Sequence, residues 1–296
     1  MSGVIEVAVV TSDAGLEYDV DLPLIVDALR ADGMAAQAVT WDAEHGDWGR
    51  FDLAVIRSTW DYAERHDEYL TWVDTASRAT RLWNPAPVVH WNSDKRYLVE
   101  LARRGVPVVP TRFLPPGEAL GAEAFDQADG VVVKPAVSAG ARDTARYEPG
   151  RHTDALGHAR MLLDQGRAVL VQPYLPLVEE GERALVFLAG AFSHAIRKGP
   201  VLTEAGVIDN ARVPHPGVAP YEPTQAELRA ARAALAAVPA PGDLLFARVD
   251  LALGENRQPV VMELELIEPN LFLDTDPRGL ERFVEAVAAE SRRTRA

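Results

Sequence analysis

The sequence predicts an α/β protein: a parallel-sheet lobe over 1–92, then a mixed α+β portion. Three observations carry that expectation. The first third alternates short β-branched strands with helical segments. The remainder is rich in apolar strands, two of them long, adjacent and joined by a hairpin loop. The 296 residues are 48% hydrophobic and 25% charged, an ordinary globular composition with length enough for two or three lobes.

In chain order, residues 5–10 read as a strand ending in Thr11, Ser12 and Asp13, and 23–29 as a helix that Gly33 ends. A second strand covers 53–56 and runs into Arg57, Ser58, Thr59, Trp60, Asp61 and Tyr62. Parallel sheets bind ligands beyond the carboxyl ends of their strands, which places Ser12, Asp13 and residues 57–62 where a substrate would bind, with Arg57, Ser58, Trp60 and Asp61 as the candidates for contact. A helix is expected from Asn92 and Ser93 to Arg103, with Asp94 and Lys95 in its first turn. Strands follow at 111–114, 130–134 and 169–172, with a helix at 153–164 between the last two. The last part reads as strands 183–188 and 191–197, helix 224–238, strands 244–253 and 260–267, and a final amphipathic helix over 277–291. The lobes expected are 1–92, 93–172 and 173–296.

Composition excludes several functions. Thirty Lys+Arg against 44 Asp+Glu leave a formal charge of −14, which argues against binding to nucleic acid or anionic membranes. No cysteine means no disulfide, thiolate metal site or thiol nucleophile. No apolar run approaches the ~20 residues of a membrane span. The first residues carry no basic segment before an apolar one, so a cytoplasmic location is expected.

The strongest chemical signal is near the end of the chain. Glu263 and Glu265 are two apart in a strand and share a face, as do Arg248 and Asp250 in the preceding strand. A hairpin turning between Asn256 and Arg257 sets Asp250 opposite Glu263. Opposed carboxylates about 5 Å apart repel unless a cation neutralises them. Oxygen-only ligands suit Mg²⁺; the competing reading is a solvated polar face of the hairpin. Lys134 closes the apolar strand before Pro135, and the small-residue loop 136–144 could wrap phosphates, although it contains one glycine. Gln172 ends another apolar strand before Pro173, and Arg197 with Lys198 ends a third, near Arg183. Read singly, each of these also fits an ordinary turn or strand end. No nucleophile–His–acid arrangement is legible.

Taken in order, Asp94-Lys95, Lys134-Pro135, Gln172-Pro173-Tyr174-Leu175, Gly181-Glu182-Arg183, Arg197-Lys198, Arg248-Val249-Asp250 and Glu263-Leu264-Glu265 resemble the ATP-grasp carboxylate ligases. The resemblance implies a two-subdomain ATP-grasp fold behind the N-terminal lobe. It implies that Lys95, Lys134 and Arg183 meet ATP phosphates, that Gln172, Tyr174 and Leu175 hold adenine, and that Glu182 holds the ribose. Asp250, Glu263 and Glu265 would bind two Mg²⁺, and Arg197 and Arg248 would act at the phosphate in transfer. Glu265 stands where the family often has Asn. The segments 18–24, 57–62, 193–199 and 263–272 further resemble the ligases that close the ring of D-cycloserine, which adds Glu268 as a substrate residue.

The activity so implied is ATP- and Mg-dependent cyclisation of O-ureido-D-serine through an acyl phosphate, as a step of antibiotic biosynthesis. An intermolecular carboxylate–amine ligase and a non-catalytic nucleotide-binding regulator are the alternatives. The expected partner is a small amino-acid-derived carboxylate, with no nucleic acid and no membrane; a homodimer is compatible with the sequence.

Overall fold

In the computed structural model of the chain, residues 4–43, 46–121, 125, 130–211, 216–239, 244–276 and 278–293 are described. The elements run β1 (Glu6–Thr11), α1 (Asp13–Tyr18), α2 (Asp21–Ala31), β2 (Ala35–Thr40), β3 (Leu53–Ser58), α3 (His66–Ala79), β4 (Arg81–Trp83), α4 (Ala86–Asn92) and α5 (Tyr97–Arg103). There follow β5 (Arg112–Leu114), β6 (Val131–Pro135), β7 (Ala145–Tyr147), α6 (His152–Asp164), β8 (Val169–Pro173), β9 (Glu182–Leu188) and β10 (Ala191–Lys198). The chain closes with β11 (Ala219–Pro220), α7 (Gln225–Ala236), β12 (Phe246–Leu253), β13 (Pro259–Glu265) and α8 (Gly279–Arg293). Among the described residues, no helix is long and apolar enough to cross a membrane.

Three sheets result. The first is parallel, in the order β2-β1-β3-β4. Its central strands are buried along nearly their whole length, as expected when helices cover both faces. Gly15 is required where α1 leaves β1, because a Cβ there would lie 2.1 Å from Thr11 Oγ1 and 2.5 Å from the Ser58 carbonyl. The second sheet is antiparallel, β5-β8-β6-β7, backed by α6. The third, β11-β10-β9-β12-β13, is also antiparallel and packs on α5 and α7 through Leu98, Leu101, Leu228 and Ala231.

The helix expected from Asn92 onward is divided. Helix α4 stops at Asn92 and α5 begins at Tyr97, with Asp94 and Lys95 in the turn between them. The Lys95 amide donates to the Ala136 carbonyl at 2.8 Å and the Arg96 amide to Asp94 Oδ1 at 2.8 Å, so both leave the helical ladder. That break turns the Lys95 side chain inward. The unexpected strands β2 and β4 complete the first sheet and β7 the second, and the unexpected helix α3 packs on the first.

Strand β13 lies at a sheet edge, and its open side is closed mainly by other means than a strand. Val109 N and Val261 O, and Val261 N and Pro107 O, exchange hydrogen bonds of 3.0 and 2.8 Å. Tyr97 Oη bonds both the amide and the carbonyl of Leu264, at 2.9 and 3.0 Å. Asn92 accepts from Leu266 N at 2.9 Å and donates to Leu264 O at 3.0 Å. Asn84 donates to the carbonyls of Leu266 and Phe246, at 2.7 and 2.9 Å, and accepts from Leu245 N at 2.9 Å.

All three side chains are buried, so removing one strands polar backbone away from water. Asn84→Ala should destabilise the protein by about 3 kcal/mol, since each buried unsatisfied group costs about 1–3 kcal/mol. Urea denaturation of both proteins measures the change; an unaltered midpoint would contradict this role for Asn84.

Candidate active site

A cavity of about 380 Å³ opens where the three sheets meet. At one end lie Val109, Val132, Gln172, Pro173, Tyr174, Leu175, Val178, Met262 and Leu264. This is an apolar slot edged by the peptide groups of the β8 hinge, suited to a flat heterocycle. The hinge is fixed by the Tyr174 amide, which donates to the Gly130 carbonyl at 2.9 Å. Gly130 must be glycine: its φ is +88°, and a Cβ would lie 2.2 Å from the Tyr147 carbonyl. Gln172 is turned aside by the hydrogen bond of its amide nitrogen to Thr111 Oγ1, at 2.9 Å.

The middle of the cavity is charged. Lys95 Nζ lies 2.8 Å from Glu263 Oε1 and also donates to the Ser138 carbonyl. Lys198 Nζ lies 2.7 Å from Asp250 Oδ2 and 3.2 Å from Glu182 Oε2. Arg248 is 1% exposed and grips Asp250 through Nε and Nη2, at 2.8 and 3.0 Å. Its Nη2 also donates to Glu265, and its Nη1 to the Asn270 carbonyl at 2.9 Å. Lys134 lines the cavity beside this network, with no ion pair among the described residues. Strand parity explains the gathering. Arg248 pairs with Glu265 and Asp250 with Glu263 in register, as the hairpin arithmetic predicts.

The electrostatics follow from burial and pairing. Burial alone would raise the Asp250 carboxyl, but Arg248 and Lys198 outweigh it and hold it well below the usual carboxylate range. Glu263 is half-buried and held low by Lys95 and Lys134 against its desolvation. Burial, with Asp250 and Glu263 nearby, pushes Glu265 up to about 7 despite Arg248. Glu268 is pushed up to about 8 by burial and by Glu265. Burial disfavours the Lys95 ammonium, yet Glu263 keeps its pKa above the ordinary value. Lys134, buried beside Lys95, is lowered in spite of Glu263. Lys198, between Asp250 and Glu182, is raised against its burial.

The three carboxylates expected to hold metal therefore line one cavity, but each sits on a protein cation. Among the described residues, no three acidic or imidazole side chains are gathered as a ready metal cage. Like charges at low dielectric separate unless neutralised, and here lysine and arginine do the neutralising. The donor chemistry of Asp250, Glu263 and Glu265, oxygen alone, fits a hard divalent cation such as Mg²⁺.

Several sequence expectations find other positions. Arg197 is exposed and Arg183 is held by the Gly181 carbonyl and by Glu227, 3.4 Å from its Nε; neither lines the cavity. These two arginines pair across β9 and β10, while Glu182 pairs with Lys198. Alternation then sends the arginines to one face and Glu182 with Lys198 to the cavity face. Of the two cations ending β10, Lys198 and not Arg197 lines the cavity.

Arg57 is buried but consumed by Asp19 and Asp21, at 2.9 and 3.1 Å, and by the Pro269 carbonyl. Ser58 Oγ lies 2.7 Å from Thr11 Oγ1, and Asp61 accepts from Trp41 Nε1 at 2.9 Å. None of these three lines the cavity, whereas Trp60, Tyr62, Glu268 and Asn270 do. The motif thus delivers its aromatic residues to the site and spends its arginine on structure.

The small-residue loop covers the charged centre. Ser138, Ala139, Gly140, Ala141 and Thr144 line the cavity, and Gly140, Ala141 and Asp143 take positive φ. Val137 and Ala139 pack on the core of the N-terminal lobe, and Arg142 forms an ion pair with Glu64 of that lobe.

The chain is 39% identical to the cycloserine biosynthesis protein DcsG of Streptomyces lavendulae over 293 residues, 95% of this chain and 97% of the relative. The chain belongs to the D-cycloserine synthetase family. A family profile described as the N-terminal domain of D-cycloserine synthetase DcsG matches residues 7–84 of this family member. The crystal structure of D-cycloserine synthetase DcsG superposes with a TM-score of 0.87 at 36% identity, over 97% of this chain and 99% of that one. D-alanine–D-alanine ligase of Bacillus anthracis shares the fold at a TM-score of 0.73 and 15% identity, over 99% of both chains. The family member is thus a ligase by its relationship to D-cycloserine synthetase, and it has the ATP-grasp fold.

Lys198→Ala should slow ADP release about 100-fold, the scale for losing a preorganised charge. Arg197→Ala should stay within about 2-fold of the parent, as exposed substitutions do. A coupled assay of both variants compares them; equal losses would return Arg197 to the site.

Proposed function

We propose that this ligase activates the carboxylate of O-ureido-D-serine with ATP and closes it to D-cycloserine. The observation that carries the reading is the buried charged centre: Lys95, Lys134, Lys198 and Arg248 among Glu182, Asp250, Glu263 and Glu265, beside an apolar slot. Such an arrangement suits a triphosphate held next to a second substrate, under a loop that excludes water. Relationship to D-cycloserine synthetase supplies the substrate class.

In this reading adenine occupies the slot along Gln172, Tyr174 and Leu175, and Glu182 faces the ribose. Lys95, Lys134 and Lys198 carry the phosphates. Asp250, Glu263 and Glu265 are the oxygen donors for Mg²⁺, which when bound supplies charge neutralisation for the transferring phosphoryl group. Their protein cations are then free to turn to the phosphates.

The substrate carboxylate oxygen attacks the γ-phosphorus, and the bond to the ADP oxygen breaks. The acyl phosphate so formed has a good leaving group where the free carboxylate had none. The nitrogen attached to the substrate's oxygen then attacks the acyl carbon. The new C–N bond closes the isoxazolidinone ring as phosphate leaves; water then takes the carbamoyl group from the ring nitrogen as carbamate, which falls to CO2 and ammonia, and the nitrogen keeps a proton. Arg248, expected to act at the phosphate, does not line the cavity; its guanidinium, held by the Asn270 carbonyl, orients Asp250 and Glu265 from behind. The loop over 138–144 protects the acyl phosphate from water.

The test is mass spectrometry with ATP, Mg²⁺ and a panel of amino-acid derivatives with and without added amines. The expected result is D-cycloserine and ADP from O-ureido-D-serine alone. ADP formation that demands a second amine would favour the intermolecular ligase. Glu263→Gln should reduce ADP release at least about 100-fold while far-UV circular dichroism is retained; undiminished turnover would remove Glu263 from the metal site.

A further inference from the structure

The cavity has one carboxylate that the nucleotide chemistry leaves unused. Glu182 and Asp250 are paired with Lys198, Glu263 with Lys95, and Glu265 with Arg248. Glu268 lines the same cavity, yet among the described residues no cation lies within ion-pairing distance of it. A partly buried carboxylate with no counter-charge is costly unless a ligand brings one.

Its surroundings are built rather than incidental. The Glu268 carbonyl accepts a hydrogen bond from Trp60 Nε1 at 3.3 Å, and the next carbonyl, that of Pro269, is held by Arg57. Arg57 is itself locked by Asp19 and Asp21. Thus the buried arginine that does not reach the cavity fixes the backbone carrying the residue that does. Trp60 and Tyr62 line the cavity together with Glu268, and aromatic walls favour a cationic guest.

Chemistry narrows the guest. A carboxylate to be phosphorylated must sit where Lys95, Lys134 and Lys198 meet. In an α-amino acid the ammonium nitrogen is only two bonds from the carboxyl carbon, so the group that reads it must adjoin that centre. Glu268 lines the same cavity as Lys95, Lys134 and Lys198, which places it at that border.

We propose that Glu268, walled by Trp60 and Tyr62, is the receptor for the substrate's α-ammonium and restricts this ligase to α-amino acids. The assignment deepens the cyclisation reading and rests on it. It makes Glu268 a specificity-determining residue, with Arg57 as the positioning residue behind it.

The experiment crosses two enzymes with two substrates. Parent and Glu268→Gln are assayed with O-ureido-D-serine and with 3-(ureidooxy)propanoate, which lacks only the α-amine. The parent should prefer the amino form in kcat/KM by about 100-fold, the scale of a desolvated charge pair. Glu268→Gln should lose most of that preference, with its value for the deamino acid close to the parent's and KM for ATP unchanged. Equal loss on both substrates, or preference retained in the variant, overturns the assignment. If Glu268→Gln does not fold, as judged by circular dichroism, Tyr62→Phe and Glu268→Asp are run through the same comparison. Failure of the cyclisation reading looks different: the parent yields no D-cycloserine. The comparison is then made on whichever panel acid releases ADP, with its own deamino form, and absence of discrimination there overturns the ammonium site.

Discussion

Over Leu264–Leu266 the outer edge of β13 faces no neighbouring strand, and the side chains of Asn84, Asn92 and Tyr97 take the missing hydrogen bonds. An open strand edge is otherwise a site of slippage or unwanted pairing. Here the bonds also decide where chemistry happens. Between them on β13 stand Glu263 and Glu265, pointing to the opposite side. Because the partners come from the segment leaving the N-terminal lobe, the same contacts set that lobe's distance from the carboxylates. Arg57 adds a second tie just beyond β13, at Pro269.

On this frame the charges are arranged before any ligand arrives. Buried carboxylates alone would protonate or push apart. Lysines and arginine hold Asp250 and Glu263 ionised and in place, and Arg248 fixes Glu265 even though burial and its carboxylate neighbours raise it. A metal–nucleotide complex can then exchange partners with the site: divalent cation to carboxylates, phosphates to ammonium groups. Little net charge is buried in such an exchange, which reduces the desolvation penalty of binding a highly charged ligand.

Much of this was legible in the sequence. The hairpin spacing around Asn256 placed Asp250 against Glu263, and strand alternation put Glu265 and Arg248 with them. Lys134 stands out at the end of its apolar strand, Glu182 came from family likeness, and both line the cavity. The choice between Arg197 and Lys198 was not legible. A regular hairpin turning at Ala189 and Gly190 would set Glu182 opposite Arg197. The structure has a bulge at Ser193, between the pairs Phe192–Phe187 and His194–Val186, which shifts the register by one and substitutes Lys198. Arg57 misled for another reason. The tertiary partners Asp19, Asp21 and Pro269 that consume it come from distant segments, and nothing local announces them. The division of the helix at Lys95 was hidden likewise, since the Ala136 carbonyl that draws off its amide lies far along the chain.

The pairing of Arg142 with Glu64 joins the loop over the charged centre to the opposite lobe. Both side chains are about half exposed, 50% and 56%. Pairs so wetted contribute only about 0–1 kcal/mol and weaken with salt. The tie of the cover to the opposite lobe is therefore weak, while its root is held by the buried Lys95 on the Ser138 carbonyl. Opening it to admit nucleotide or to release product need not disturb the frame beneath, so the enzyme can be rigid where phosphoryl transfer is aligned and loose where traffic passes.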